Sequence, residues 1–423
     1  MPLRTVSRPW ARCVVVVACA VAFASTGAAA DRIDAKARAI HESLLTLDTH
    51  LDTPALFSVA GWDMQQEHRV EADGSQLDYP RMVKGGLDGG FFATYIGQGP
   101  LTDAGRATAR DAALLRLQEI HQMVAANPAH FELAYTPDDA RRIAAAKKRI
   151  VFLSMENGYP VGQDVSLLAT FYTLGVRIAG PVHFLNNDLG DSSTDPAGPK
   201  WRGLSPLGLE YVKLANRLGI LLDASHASDD VLDQMLELST APIILTHSGT
   251  RAVFNHPRGL DDEHLRRLAA KGGVIQIYAY SDYFVPNPRP AEREAAIAAL
   301  RRKYAGQRSR VSLEAQAKEQ AAIDSKYPIP RGSFEDFIAH LLHAVKIAGI
   351  DHVGIGLDFD GGGGVAGLKD ATDYPKITAR LLKEGLTKDD LAKIWSGNAL
   401  RVLGEAQAVA LTARRDLSSD KLQ

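Results

Sequence analysis

The chain has 423 residues, 46% of them hydrophobic, and its 48 basic and 50 acidic side chains give a formal net charge of −2. This length and apolar content support one large α/β domain or two smaller ones. The near-neutral charge gives no support for nucleic-acid binding, because that function needs a basic surface.

The amino-terminal segment has the pattern of an export signal. Three arginines precede the apolar run CVVVVACAVAFA, and the small residues STGAAA follow it. This pattern predicts a signal peptide over residues 1–30, cleaved near Ala30. The apolar run is shorter than the ~20 residues that a membrane-spanning helix needs. Lipoprotein acylation at Cys19 is the weaker alternative, because the apolar run before that cysteine is very short.

Cleavage near Ala30 would change the chemistry of the exported chain. It would remove Cys13 and Cys19, the only two cysteines of the sequence, and with them any disulfide or thiol chemistry. Export without disulfides fits a bacterial periplasm better than a small disulfide-linked extracellular domain. We therefore expect a periplasmic protein that has no stable membrane span after signal cleavage.

After this segment, short apolar runs alternate with longer segments of helical periodicity, as is typical of βα units that build a parallel sheet. The helical segments SPLGLEYVKLANRLG and SDDVLDQMLELST begin with serine, a residue that caps helix amino termini. Eight strands are predicted, at residues 45–52, 90–96, 150–156, 176–183, 219–226, 242–247, 273–280 and 352–358. With the intervening helices they predict an α/β fold, a (β/α)8 TIM barrel, over residues 31–406.

Two segments depart from this alternation. Residues 284–333 are rich in Arg, Glu, Lys and Ala and are too long for a simple loop. We expect them to form a helical insertion at the mouth or the side of the barrel. Residues 407–423 are predicted to begin as helix and to end as a polar carboxyl-terminal tail.

Ligand-type side chains stand at the predicted strand ends: His50, Asp52, Glu156, His183, His226, His247 and Asp358. The carboxyl-terminal ends of the strands form the active face of barrel enzymes. One histidine at a strand end is more often exposed than a ligand, but four histidines and three carboxylates on six strands are hard to explain that way. The set suffices for two metal ions, bridged by a carboxylate such as Glu156, which would activate a water and polarise a carbonyl.

Other polar residues are expected to have structural roles or none. Five histidines in helical or loop contexts are predicted to be solvated: His41, His68, His121, His130 and His264. His340 is predicted to lie on a helix face that packs against the barrel. Asp48 shares the strand face of His50, because side chains alternate along a strand, and is expected to support the site without binding a metal.

The motifs DTHLDTP, KGGLDGGFFATY, SMENGYP, GVRIAGPVH, LLDASHAS, ILTHSGTRAVFNHPRGL, GIGLDFDGG and IWSGNALRVL, in this order, resemble the membrane (renal) dipeptidase family. This family comprises binuclear zinc peptidases and is a branch of the amidohydrolase-type barrels. The resemblance extends from about Asp48 to about Leu403. It implies two Zn²⁺ ions per chain. His50 and Asp52 would bind one ion, His226 and His247 the other, and Glu156 would bridge both.

The resemblance also implies roles in substrate binding and catalysis. His183 would contact the substrate and stabilise the developing oxyanion. Arg258 would hold the substrate carboxylate, and Asp358 would handle the substrate amino group and protons. Because the insertion at 284–333 borders the active face, the family's preference for substrate size is not carried over.

The expected function is that of a zinc dipeptidase. It would hydrolyse the peptide bond of free dipeptides by a hydroxide bridging the two metals, with tolerance of a D-residue at the carboxyl-terminal position left open. One alternative is another binuclear metal hydrolase of amides or esters, including β-lactams, on the same barrel. Another is a catalytically silent periplasmic peptide-binding protein. The expected partner is the small-molecule dipeptide substrate, and a homodimer is left open.

Overall fold

A computed structural model describes residues 33–419 of the chain. The predicted signal peptide at residues 1–30 lies outside the described residues. Within the described part, every helix is too short or too polar to cross a membrane.

The strands form two parallel sheets. Their bounds are β1 Leu47–Leu51, β2 Gly89–Tyr95, β3 Phe131–Leu133, β4 Arg149–Glu156, β5 Val176–Ala179, β6 Leu221–Leu222, β7 Ile244–Thr250, β8 Gly259–Leu260, β9 Val274–Ile277 and β10 Val353–Ile355. One sheet has the order β1-β2-β4-β5-β6, with β3 paired to β4, and the other has the order β10-β9-β7-β8.

Two isolated parallel bridges join these sheets into a closed barrel. Leu51 pairs with Phe359, which connects β1 to the segment after β10, and Asp223 pairs with Ile244, which connects the segment after β6 to β7. The eight barrel strands are therefore β1, β2, β4, β5, β6, β7, β9 and β10. The predicted (β/α)8 barrel is confirmed.

The helices surround the barrel and extend its loops. Their bounds are α1 Ala35–Glu42, α2 Val70–Asp73, α3 Tyr79–Gly85, α4 Asp103–Ala126, α5 Pro137–Ala145, α6 Leu167–Thr173, α7 Pro206–Leu218, α8 Asp229–Leu238, α9 Asp262–Ala270, α10 Ala291–Tyr304, α11 Arg310–Lys326, α12 Phe334–Ala348, α13 Tyr374–Lys383, α14 Lys388–Ala392 and α15 Asn398–Ser419. Ser205 and Ser228 cap α7 and α8 as predicted, because each side chain accepts a hydrogen bond from a first-turn amide.

An apolar layer fills the amino-terminal end of the barrel. Phe91 of β2 and Phe152 of β4 are neighbours in the sheet, and their rings stack with centroids 4.6 Å apart. Burying each of these side chains contributes roughly 1.5–3 kcal/mol. Because side chains alternate along a strand, Phe152 and Glu156 share one face. The apolar half of β4 therefore lies in the packed end, and its acidic terminus lies at the open end.

Helix α15 packs against this apolar layer and continues beyond the predicted boundary at residue 406. Leu403 and Ala406 belong to the same buried cluster as the stacked phenylalanines. Ala410 is also buried, and the side chain of Gln407 donates a hydrogen bond to the Tyr135 carbonyl. These contacts stabilise the helical start that was predicted for residues 407–423.

The segment predicted as a helical insertion contains α10 and α11, which pack against each other. Arg293 of α10 pairs with Asp324 of α11 at 2.7 Å. Helix α11 also packs against α2, and Ala60 forms backbone hydrogen bonds with Arg308 and Arg310 at its start. The insertion thus lies against the loop after β1, at the open end of the barrel.

The prediction that His41 and His68 are solvated is wrong. His41 is fully buried, and its ring bonds to the Thr378 hydroxyl at 2.7 Å and to the Gly85 carbonyl at 2.9 Å. His68 is buried beside Asp73 at 2.6 Å. His340 is buried on α12, as predicted.

Candidate metal centre

The seven ligand-type residues predicted from strand ends meet at the open end of the barrel. His50 belongs to β1, Glu156 ends β4, and His247 belongs to β7. Asp52 follows β1 directly. The remaining three lie in the turns that follow their strands: His183, His226 and Asp358.

These three turns begin earlier than predicted. The strands end at Ala179, Leu222 and Ile355, so the predicted strands 176–183, 219–226 and 352–358 are too long. After β6, the side chain of Asp223 accepts a hydrogen bond from the Ser225 amide at 2.9 Å and closes a local turn. After β10, Asp358 has a left-handed backbone with φ of 64°.

Glu156 lies between two groups of side chains. Its Oε1 atom lies 2.9 Å from Nε2 of His226, 3.4 Å from Nε2 of His247 and 3.5 Å from Nε2 of His183. Its Oε2 atom lies 3.5 Å from Nε2 of His50. Each oxygen of this carboxylate therefore faces a different set of imidazoles.

The group around His50 carries the other two carboxylates. Nε2 of His50 lies 3.4 Å from Oδ2 of Asp52 and 3.9 Å from Oδ1 of Asp358. The ring of His247 packs at a tilt of 36° against that of His50 with centroids 3.8 Å apart, and its Nε2 lies 2.9 Å from Nε2 of His226. His247 thus lies between the two groups, and all seven ligand atoms converge on one small volume.

This donor set fits bound cations. Both ring nitrogens of His50 and Nδ1 of His226 are buried and have no hydrogen-bond partner among residues 33–419. Unpaired buried polar atoms are costly, and a metal ion bound to Nε2 of His50 would satisfy that atom. Imidazole nitrogens and carboxylate oxygens are also the ligands that zinc accepts in catalytic sites.

Burial sets the protonation of the site. It lowers the pKa values of His226 and His247 well below their ordinary range, so both rings are neutral and keep a lone pair. Burial would also lower the pKa of His50, but the Glu156 and Asp52 carboxylates outweigh it and hold that pKa well above its ordinary value. The neutral rings of His226 and His247 beside the Glu156 carboxylate match the charge that a divalent cation needs.

Asp48 holds the backbone of two ligand-bearing segments in place through hydrogen bonds. Its carboxylate accepts hydrogen bonds from the His50 amide at 2.9 Å, the Leu357 amide at 3.0 Å and the Tyr374 hydroxyl at 2.6 Å. One buried side chain therefore connects β1 to the segment that carries Asp358.

The turn after β10 brings its backbone close to the carboxylates. Asp358 and Asp360 both have positive φ, and the amides of Gly361 and Gly363 donate to the Asp358 carbonyl. A Cβ atom on Gly361 would lie 2.0 Å from Oδ2 of Asp52 and 2.3 Å from Oδ1 of Asp358. Only glycine fits at this position.

Asp360 has a different environment from Asp358. Its Oδ2 atom accepts a hydrogen bond from the Thr53 hydroxyl at 2.6 Å, and its Oδ1 atom accepts one from the Gln76 amide at 2.6 Å. Both oxygens of Asp360 thus hold the surrounding loops together.

Arg258 enters the site from the loop after β7. It is 2% exposed, and its Nη2 atom lies 3.1 Å from the His247 carbonyl and 3.2 Å from Nε2 of His226. The ring centroid of Tyr283 lies 5.8 Å from its guanidinium carbon. Its Nε and Nη1 atoms are buried with no hydrogen-bond partner in the described part of the chain. The guanidinium therefore has donors left for an anionic ligand.

These residues line a cavity of about 220 Å³. This volume is smaller than the roughly 300–1,000 Å³ of pockets that bind drug-sized ligands. Several lining residues were not predicted from the sequence: Ala55, Tyr95, Phe184, Tyr280, Tyr283, Asp360 and Gly361. One signal could have pointed to Tyr95, because it shares its strand face with buried Phe91 and ends the strand, as Glu156 does in β4.

A closed parallel barrel with buried histidines and carboxylates at its open end defines a metal-dependent hydrolase of the amidohydrolase type. The profile of the membrane dipeptidase family, peptidase family M19, matches residues 34–416. The chain belongs to this family and is a metallo-dipeptidase.

Similar proteins carry the same assignment. Dipeptidase tcpJ of Claviceps purpurea is 28% identical over 363 residues, which cover 84% of this chain and 76% of that protein. An uncharacterised dipeptidase of Schizosaccharomyces pombe, C965.12, is 28% identical over 386 residues, which cover 88% of this chain and 82% of that protein. The crystal structure of the probable dipeptidase PvdM from Pseudomonas aeruginosa matches with a TM-score of 0.76 and 31% identity, covering 89% of this chain and 98% of that one.

Proposed function

We propose that this chain is an exported dipeptidase that binds two zinc ions and hydrolyses dipeptides with free termini. The observation that carries the proposal is the polarity of the cavity. Arg258 offers unpaired donors on one side, and Asp52 and Asp358 provide negative charge on the other. A free dipeptide has complementary charges at its two ends, and the cavity is small enough to exclude longer peptides.

The metals would be held by five side chains. His50 and Asp52 would bind one ion, His226 and His247 the other, and Glu156 would contribute one oxygen to each. Bound there, zinc supplies a Lewis acid and activates a water molecule at neutral pH. The opposite placement of the two Glu156 oxygens supports this division.

The remaining residues would bind and orient the substrate. Arg258 would donate two hydrogen bonds to the terminal carboxylate, the paired contact for which a guanidinium is suited. Burial lowers the pKa of His183 to about 4, so its ring is neutral and can donate one hydrogen bond to the carbonyl oxygen as charge develops there. The carboxylate of Asp358 would carry a proton to the leaving amine.

The proposal includes acceptance of a D-residue at the carboxyl-terminal position. Arg258 would bind the carboxylate, which both stereoisomers present, and no part of that contact reads the configuration of the α-carbon. Parallel assays with Ala-Ala and Ala-D-Ala test this point. Hydrolysis of the L,L dipeptide alone would restrict the proposal to L-residues.

Metal analysis and hydrolysis assays together test the central proposal. The mature protein, reconstituted with zinc, should contain two ions per chain and should hydrolyse free dipeptides faster than dipeptide amides. Glu156→Gln should lose both ions more readily than His247→Ala, because Glu156 would bind both ions and His247 only one. A single ion per chain after reconstitution would contradict the binuclear site.

Export is proposed from the amino-terminal sequence. Sequencing of the mature protein from the periplasmic fraction should find an amino terminus near Asp31. An acylated Cys19 would instead show a lipoprotein, and retention of the intact chain in the cytoplasm would contradict export.

A further inference from the structure

Phe184 is a large aromatic residue exposed at the mouth of the catalytic cavity. It directly follows His183, lines the cavity, and is 41% exposed. Single exposed apolar residues are common on protein surfaces and need no explanation of their own. This one differs because it lies beside the proposed substrate-binding groups.

The position of Phe184 is fixed by hydrogen bonds on both sides. The carbonyl of His183 accepts a hydrogen bond from the Ser192 hydroxyl, and the carbonyl of Phe184 accepts one from the Thr194 hydroxyl at 3.2 Å. The ring also packs on that of His183 with centroids 3.8 Å apart. The loop therefore holds this aromatic ring at the opening.

Phe184 lies on the side of the cavity that contains Arg258. The ring centroid of His226 is 5.3 Å from that of Phe184, and Nε2 of the same histidine is 3.2 Å from Nη2 of Arg258. Tyr95, the other aromatic residue beside His183, pairs with Glu156 across the sheet. Phe184 is thus an aromatic neighbour of His183 that also contacts the histidine beside Arg258.

We infer that Phe184 forms the binding surface for the side chain of the carboxyl-terminal residue of the substrate. This inference rests on the proposed function, because it takes Arg258 as the carboxylate-binding group. The preferred substrates are then dipeptides whose carboxyl-terminal residue is large and apolar, such as phenylalanine or leucine. Covering the exposed ring with such a side chain removes apolar surface of both partners from water.

The inference predicts a preference at one end of the dipeptide. Apolar pocket contacts discriminate between side chains by about 10–200-fold, and a partly exposed ring belongs at the low end of that range. We therefore expect kcat/KM for Ala-Phe to exceed that for Ala-Gly by about tenfold. Phe184→Ala should remove most of this ratio and leave the ratio of Phe-Ala to Gly-Ala unchanged.

Leu185→Ala is the matched control. Leu185 is the next residue in the loop and is 38% exposed, but it does not line the cavity. Its removal should leave both ratios at the parent values. Using ratios of two substrates cancels any general effect of a substitution on His183 or on the metal site. An unchanged Ala-Phe to Ala-Gly ratio in Phe184→Ala, or a loss confined to Phe-Ala, would overturn the inference.

Calorimetry separates this inference from the proposed function. If the zinc-loaded protein hydrolyses none of these dipeptides, the proposed function fails, and the affinities of the same four dipeptides can be measured on that protein. Tighter binding of Ala-Phe than of Ala-Gly that depends on Phe184 would still support the inference. If Phe184→Ala binds Ala-Phe as tightly as the parent protein does, the inference is overturned.

Discussion

Acid should destabilise this fold through His41 on α1. The Trp395 indole donates a hydrogen bond to the Thr378 hydroxyl, which bonds to Nδ1 of His41, and Nε2 bonds to the Gly85 carbonyl. Since the carbonyl can only accept, Nε2 carries the proton of the neutral ring and Nδ1 accepts from Thr378. Burial lowers the pKa of His41 from 6.5 to about 4.

The sign and size of the effect follow from proton linkage. Between about pH 6.5 and pH 4 the unfolded chain binds a proton at this histidine that the folded chain does not, so the free energy of unfolding falls as the pH falls. Relative to neutral pH, the free energy of unfolding is lowered by about 3 kcal/mol below pH 4 through this histidine, and about 2 kcal/mol of this loss is reached by about pH 5. Above the ordinary pKa the histidine contributes no pH dependence.

Urea unfolding of the metal-free protein measures this loss without interference from metal release. The free energy of unfolding should fall by about 2 kcal/mol more in the parent than in His41→Gln when the pH is lowered from about 8 to about 5. Burial also lowers the pKa of His340 to about 4, but that histidine is present in both proteins and cancels in the comparison. Equal losses in the two proteins would refute the reasoning.

Three further predictions concern the site. Arg258→Ala should raise KM for free dipeptides by about 10–200-fold, which corresponds to the free energy of one charge-assisted hydrogen bond. If the parent enzyme hydrolyses dipeptides and dipeptide amides at equal rates, this role of Arg258 is contradicted. Gly361→Ala should weaken zinc binding by about 10–100-fold in a competition titration, because the added Cβ would push apart the Asp52 and Asp358 carboxylates. A variant that binds zinc as tightly as the parent protein would contradict this prediction. Asp358→Asn should lower kcat by about 10²–10⁴-fold. Asp360→Asn should lower kcat much less, because both oxygens of Asp360 accept hydrogen bonds that hold the loops together. If kcat of the metal-replete proteins falls more in Asp360→Asn than in Asp358→Asn, the proton-transfer role belongs to Asp360.

The eight barrel strands were predictable because buried parallel strands have continuous apolar sequences. The run IVFLSME, for example, matches β4 to within one residue. Strands β3 and β8 were not predicted, because they are three and two residues long and, unlike the equally short β6 in GILL, lie in no continuous apolar run. Sequence pattern also cannot separate a buried histidine from a solvated one, and for this reason the environment of His41 was predicted wrongly.

The residues that converge at the metal centre were predictable because polar side chains interrupt apolar runs at strand ends. The aromatic lining of the cavity was not, because tyrosine and phenylalanine are ordinary in strands and in core positions. Phe184 in particular follows its strand by five residues, and hydrogen bonds from Ser192 to the His183 carbonyl and from Thr194 to the Phe184 carbonyl hold it at the cavity. Such long-range contacts leave no local pattern.

The left-handed backbone of Asp358 limits how this enzyme can evolve. Among residues with a side chain, asparagine and aspartate adopt that conformation most readily, whereas a longer or branched side chain is strained there. Replacement by glutamate is therefore not conservative, although it keeps the charge. Asparagine, which the genetic code reaches from aspartate by a single nucleotide change, fits the turn and removes the carboxylate. With the proton-transfer role proposed above for Asp358, this one change would remove most of the activity while the barrel still folds.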